Sequence, residues 1–189
     1  MRKPFVLLTV TALTALAALS SPWTARAGTL LALDLPALVA QSDYVVVANA
    51  QSEASRHDKG AIVTDVTLKV ITSLKGAAKP GDTLIATHLG GAVDRVGLRV
   101  PGAAKFKLGQ GAVVFLRRAE ASKDLNVTGM SQGLMPIVGQ GDSATVTPSE
   151  SDATLMQRDA DGKLVEVHRS TQPRLLRELL TEIEQLVKH

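Results

Sequence analysis

Four histidines are the side chains best suited to metal or acid–base chemistry in this 189-residue sequence, and their spacing limits what they can do. His57, His88, His168 and His189 stand far apart, and no two share a metal-ligand spacing on one predicted element. Cysteine is absent, so a thiolate metal site, a disulfide framework and a lipid-attachment thiol are excluded. His57 precedes Asp58 in a polar turn and His189 is the last residue. His88 differs, because it ends a predicted strand and is followed by Gly90, Gly91, Asp94 and Arg95. Two readings compete there: the glycines form a turn or bulge with His88 on its rim, or His88, Gly90, Gly91, Asp94 and Arg95 form a recognition loop.

Other catalytic arrangements lack their surroundings. No Gly-x-Ser-x-Gly sequence is present to hold a serine nucleophile. Asp159 and Asp161 have a calcium-loop beginning, but further spaced acids and a closing glutamate do not follow, so they read as turn residues. The glycines at 90, 91, 97, 102, 109 and 111 lack the strand-loop-helix context of a phosphate cradle. The expectation is a non-enzymatic protein with no catalytic residue, no cofactor and no metal site. Asn126-Val127-Thr128 matches a glycosylation acceptor.

Composition narrows the partners. Arg2 and Lys3 precede an uncharged apolar segment from Phe5 to Leu19, and Ala25-Arg26-Ala27 places small residues at both cleavage subsites. Residues 1–27 therefore read as a secretory signal peptide, too short in its apolar part to span a bilayer, with cleavage after Ala27 and a periplasmic or extracellular destination. Its removal takes three of the 21 basic residues and leaves 18 against 18 acidic ones. A neutral chain has no field to steer it toward nucleic acid or acidic membrane. Tyr44, Phe106 and Phe115 are the aromatics that remain, too few for base stacking.

The elements that must position these residues follow from periodicity. Gly60 to Gly76 is the longest strand pattern, with Ile62, Thr64, Val66, Leu68 and Val70 on one face and Asp65, Thr67 and Lys69 on the other. Tyr44 to Gln51 carries the run Val45, Val46, Val47, which predicts a strand covered on both faces. Asp34 as N-cap and Pro36 in the first turn open a short helix with Leu35, Leu38 and Val39 on its apolar side, one of those covers. Ser52 to Gly60 is polar and reads as a turn. Thr83 to Leu89 is a third strand, with Leu84, Ala86 and His88 on one face.

Gly90 to Gly111 is irregular, with an edge strand at Val96, Leu98 and Val100 and a return to the core at Phe106 and Leu108. Ala112 to Leu116, Leu125 to Gly129 and Leu134 to Val138 are further strands, and Arg117 and Arg118 mark a strand end in water. Ala144 to Thr147 and Lys163 to His168 read as a hairpin. A final helix from about Gln172 to Lys188, capped by Ser170 or Thr171, has Leu175, Leu176, Leu179, Leu180, Ile183, Leu186 and Val187 on one stripe. Burying that stripe is worth about 10–20 kcal/mol gross, so packing rather than intrinsic helicity holds the helix.

The fold class expected is mainly β: a small antiparallel barrel with a short N-terminal helix and a C-terminal amphipathic helix, a β-sandwich being the alternative. The barrel is assigned to residues 28–142, with 143–189 as a hairpin-plus-helix extension. From Leu38 to Phe115 the chain resembles exported bacterial proteins whose barrel is similar to tissue-inhibitor-of-metalloproteinase and netrin-like OB-fold domains. The likeness rests on Ser42-Asp43 before the valine run, Thr64 to Val70 ending in Leu74-Lys75-Gly76, Pro80-Gly81-Asp82, and Phe106, Gly109 and Phe115. Such inhibitors insert a cysteine-led N-terminus at a catalytic zinc, whereas a mature start at Gly28 offers no cysteine and only a mobile arm.

The leading functional expectation is an exported module that binds a protein partner, through His88, Gly90, Gly91, Asp94 and Arg95 or through Leu176, Leu179 and Ile183 of the final helix. A protease inhibitor and a hydrolase with an unrecognised site are the alternatives.

Overall fold

The computed structural model describes residues 28–119 and 124–188. The expected signal peptide with its cleavage site, and His189, lie outside the described residues. Strands dominate: β1 (Thr29–Leu31), β2 (Tyr44–Asp58), β3 (Ala61–Lys75), β4 (Thr83–Leu89), β5 (Gly91–Val93), β6 (Val96–Leu98), β7 (Gly111–Arg118), β8 (Leu125–Val127), β9 (Leu134–Val138), β10 (Thr145–Val146), β11 (Thr154–Arg158), β12 (Leu164–Val167) and β13 (Arg174–Leu175). Among the described residues two α-helices accompany them, α1 (Leu35–Gln41) and α2 (Leu176–Lys188).

The largest sheet has the order β13-β10-β9-β7-β2-β3-β4-β8, and β8 also pairs with β7. The ladder through β7, β2, β3, β4 and β8 therefore returns to β7. The expected antiparallel pairing holds at every step of this circuit but one. β8 runs parallel to β4 at Ala86 and Thr87, because β8 is antiparallel to β7 and a circuit of five strands cannot alternate direction at every step. Separately, β1, β11 and β12 form a three-stranded sheet and β5 pairs with β6.

Alternation along β2 and β7 separates two cores. Val46, Ala48 and Ala50 of β2, with Val114 and Leu116 of β7, meet Val66, Leu68 and Val70 on one side. Val45, Val47, Val113 and Phe115 pack on the other side against Leu38 and Val39 of α1 and Leu179 and Ile183 of α2. The valine run is thus buried on both faces, as its lack of alternation implies. Asp34 Oδ1 accepts from Ala37 N at 2.8 Å to cap α1, and Lys75 Nζ donates to Val39 O at 2.7 Å near its other end.

Three local expectations need correction. Ser52 to Asp58 is strand, not turn: it pairs residue by residue with Ala61 to Thr67, and Lys59 and Gly60 at φ 45° and 85° make the reversal. A polar sequence hid this because the extension is stabilised by backbone pairing rather than by an apolar face, and register shifts near Val45, Val47 and Ala50 bend it. β12 pairs with β11, not with β10, and β10 instead joins β9 and β13. The final helix starts at Leu176 because Arg174 and Leu175 are taken by β13 and Leu176 N donates to Ala144 O.

The last segment also shares the main core. Leu179 and Ile183 are 1% and 0% exposed, so they are not available as the partner surface expected of them. Leu176 is partly buried against the same cluster. Leu108, expected in the core, is 50% exposed, and Ala104 fills the core place between it and the Pro101-Gly102 turn.

Candidate functional site

Strand pairing brings side chains from three consecutive strands together. Val63, Asp65 and Thr67 alternate to the outer face of β3, where Asp65 stands opposite Thr87 of β4 and Ala54 of β2. Arg56, two residues further along β2, reaches diagonally to Asp65, with Nε to Oδ2 at 2.7 Å and a second donor, Nη2, to Oδ1 at 3.3 Å. Thr87 Oγ1 donates to the same Oδ1 at 2.7 Å. The Arg56 bond, and secondarily the Thr87 hydroxyl, hold the Asp65 carboxyl below its ordinary pKa against the opposing effect of burial. An ionised carboxylate already engaged by three donors is a structural anion and a poor proton-transfer group.

Beside this cluster lies a cleft of about 580 Å³, lined among others by Lys59, Thr87, His88, Leu89, Arg117 and Asn126. His88 pairs with Thr64 and points to the inner side of β4. Its ring stacks on Phe106 with centroids 6.3 Å apart, and Nδ1 is 3.1 Å from Leu89 O. Arg117 follows the last buried residue of β7, Leu116, so strand alternation and strand end together set it on the rim.

The segment expected as a recognition loop is a two-stranded ribbon. β5 and β6 pair Gly91 with Leu98 and Val93 with Val96, which leaves Asp94 and Arg95 at the tip. Asp94 sits at φ 55°, a conformation that aspartate tolerates. The base of the ribbon is bolted to the sheet: Thr64 Oγ1 donates to Gly90 O at 2.7 Å, Ser55 and Thr64 hydroxyls meet at 2.9 Å, and Ala92 N donates to Ser55 Oγ at 3.3 Å. Glycine at 91 is required, because a Cβ there would lie 2.3 Å from both Ser55 Oγ and Thr64 Oγ1. Val96 is 60% exposed and Leu98 is 37% exposed.

Thus His88, Gly90 and Gly91 are joined to one rigid base and Asp94 and Arg95 to its free end, while Leu176, Leu179 and Ile183 belong to the helix core. Sequence reasoning missed Arg56 and Thr87 as partners of Asp65. Their signal is the period-two spacing that continues through Ser52 to Asp58, a cue masked by the polar composition. The remaining candidates resolve as structure. Asp159 Oδ1 accepts from Asp161 N and Lys163 N, closing the turn between β11 and β12. Thr128 of the glycosylation match is fully buried, its hydroxyl 2.8 Å from that of Ser42.

Compared with protein-family models and with curated protein sequences, the chain finds no match.

Proposed function

We propose that the protein is an exported, non-catalytic binding module built on a five-stranded OB-like barrel, and that it engages a protein partner with the β5–β6 ribbon and the neighbouring cleft. The returning ladder β7-β2-β3-β4-β8 supports the barrel, since five strands paired in a circuit leave few edges open. The observation that carries the functional reading is the contrast between base and tip. Ser55, Thr64 and Gly90 fix the base by hydrogen bonds, whereas Arg95 and Val96 are exposed and, among the described residues, have no ion pair or core contact. A stiff ribbon carrying an exposed apolar side chain and charges of both signs loses little entropy on binding.

The inhibitor alternative loses the arm it requires. Thr154 N donates to Gly28 O at 3.0 Å, and Thr29 to Leu31 pair in parallel with Thr154 to Met156. Gly28 is held at the start of a strand, not on a free segment.

Immobilised protein exposed to the exported fraction of its own host tests the proposal. Retention of a partner by the wild type, with loss in both Arg95→Ala and Val96→Asp and unchanged melting of these variants, supports it. A partner retained equally by all three proteins removes the ribbon from the interface.

A further inference from the structure

Arg169 occupies the seam between the main sheet and the β1-β11-β12 sheet, on the connection from β12 to β13. It borders three adjoining clefts of about 280, 420 and 350 Å³. Its Nη1 donates to Gln132 O at 3.0 Å, and the described residues bring no carboxylate into an ion pair with it. Burial lowers its pKa, and no acid among the described residues acts in the other direction. A guanidinium has five N–H donors, and keeping it half-buried without an anion is costly.

The third cleft explains what such a cation is placed to meet. Its accessible walls are apolar at Leu35, Pro148 and Pro173, and the buried Met135, Val146 and Leu179 lie beneath them. Among the described residues no acid lines it, and its other cation, Arg174, is already paired with Glu182 at 2.6 Å. The two neighbouring clefts differ. One holds Glu150, Asp152 and Glu166, and the other holds Asp34, whose carboxylate caps α1. Ser131 of the first cleft's lining carries a buried hydroxyl, Oγ, with no hydrogen-bond partner among the described residues.

We propose that the cleft between α1, β9, β10 and the start of α2 binds a small carboxylate with an apolar tail, its head group held by Arg169 and its tail lying between Leu35, Pro148 and Pro173 above the buried Met135. The planar guanidinium matches a carboxylate edge, and the volume is in the range of small-molecule sites. Lysine in place of Arg169 keeps the charge and one bond to Gln132 O but loses the two-pronged geometry.

The test is titration of the purified protein with sodium octanoate, followed by the methyl signal of Met135 in an NMR spectrum, against acetate and octylamine. The expected result is saturable octanoate binding, with acetate at least about tenfold weaker for want of a tail and octylamine leaving the Met135 signal unmoved. Arg169→Gln is expected to weaken octanoate at least about tenfold and Arg169→Lys by less. Where Arg169→Gln does not fold, the comparison of octanoate with octylamine on the wild type decides alone. Equal responses to octanoate and octylamine, no saturable shift at Met135, or folded Arg169→Gln binding octanoate as tightly as wild type would each overturn the proposal.

Discussion

Replacing Leu179 by alanine measures whether α2 belongs to the fold or merely leans on it. Leu179 is 1% exposed and packs in the cluster that holds Leu38, Val45, Val47, Val113 and Phe115. Removing the isobutyl group leaves a cavity whose walls, strands on one side and α1 on the other, cannot both close in. Buried leucine-to-alanine changes cost about 2–5 kcal/mol, and a fully enclosed site belongs near about 3. A domain with about 5–15 kcal/mol of stability survives that loss. With a urea slope near about 2 kcal/mol per molar, the unfolding midpoint falls by about 1.5 M. Equilibrium urea unfolding followed by circular dichroism reads this directly, with exposed Arg177→Ala as the control expected within about 0.5 kcal/mol of wild type. A midpoint lowered by less than about 0.3 M, at unchanged slope, would refute the assignment of α2 to the core. Leu179→Asp is a different perturbation, because it puts an unpaired carboxylate into that core and unfolds the protein. Loss of any partner in that variant reports misfolding, not an interface.

Three further outcomes follow from single sites. Gly91→Ala combines a Cβ 2.3 Å from two hydroxyl oxygens with φ 127°, and is expected to cost about 2 kcal/mol or more; adding Ser55→Ala relieves only part, since Thr64 remains, and urea midpoints of the three proteins check it. Asp152 has its pKa lowered to about 2, first by Gly102 N and then by Arg99. Its stabilising contribution is therefore full above the ordinary carboxylate range and is lost as pH falls toward 2, so the stability difference between wild type and Asp152→Asn should shrink between pH 6 and pH 2.5; a constant difference would refute the linkage. Arg56→Ala strips Asp65 of its principal counter-charge, so the Asp65 pKa should rise, which a carbon-13 carboxyl titration of wild type and variant measures.

How far the fold could be read from the sequence depended on whether apolar side chains or backbone pairing held each segment. Ile62, Val66, Leu68 and Val70 are buried and alternate, and Val45 to Val47 are buried in an unbroken row, so pattern alone revealed their strands and the double cover. Ser52 to Asp58, paired across the Lys59-Gly60 reversal, and Arg174–Leu175, paired with the distant Val146 and Thr145, have little apolar signal of their own, so composition points to turn and helix there instead. The hairpin error has the same origin: Thr154 to Arg158 and Ala144 to Thr147 are equally plausible mates for Leu164 to Val167 until the Asp159 carboxylate selects the tight turn. The candidate site divides similarly. Gly90 and Gly91 announced an unusual backbone, but the Ser55 and Thr64 hydroxyls that demand it lie across two other strands.

The residues that carry the resemblance to inhibitor-like barrels turn out to perform structural tasks in this chain. Ser42 Oγ bonds to Leu38 O and to the Thr128 hydroxyl, and Asp43 Oδ2 accepts from Arg118 N, so this pair ties the end of α1 to the turn after β8 and to the end of β7. Lys75 reaches back to Val39 O, Gly76 allows Tyr44 and Asp43 to approach, and Asp82 Oδ2 accepts from Lys79 N in the turn before β4. Each fixes a corner where the chain enters or leaves the main sheet. A likeness built from such corners speaks to how the strands are joined and leaves the choice of partner open, because none of these groups is presented to a ligand. Under the proposed reading, partner choice would rest on what the corners leave outside: the tip at Asp94 and Arg95, the cleft beside His88, and the guanidinium of Arg169, which has no ion pair among the described residues.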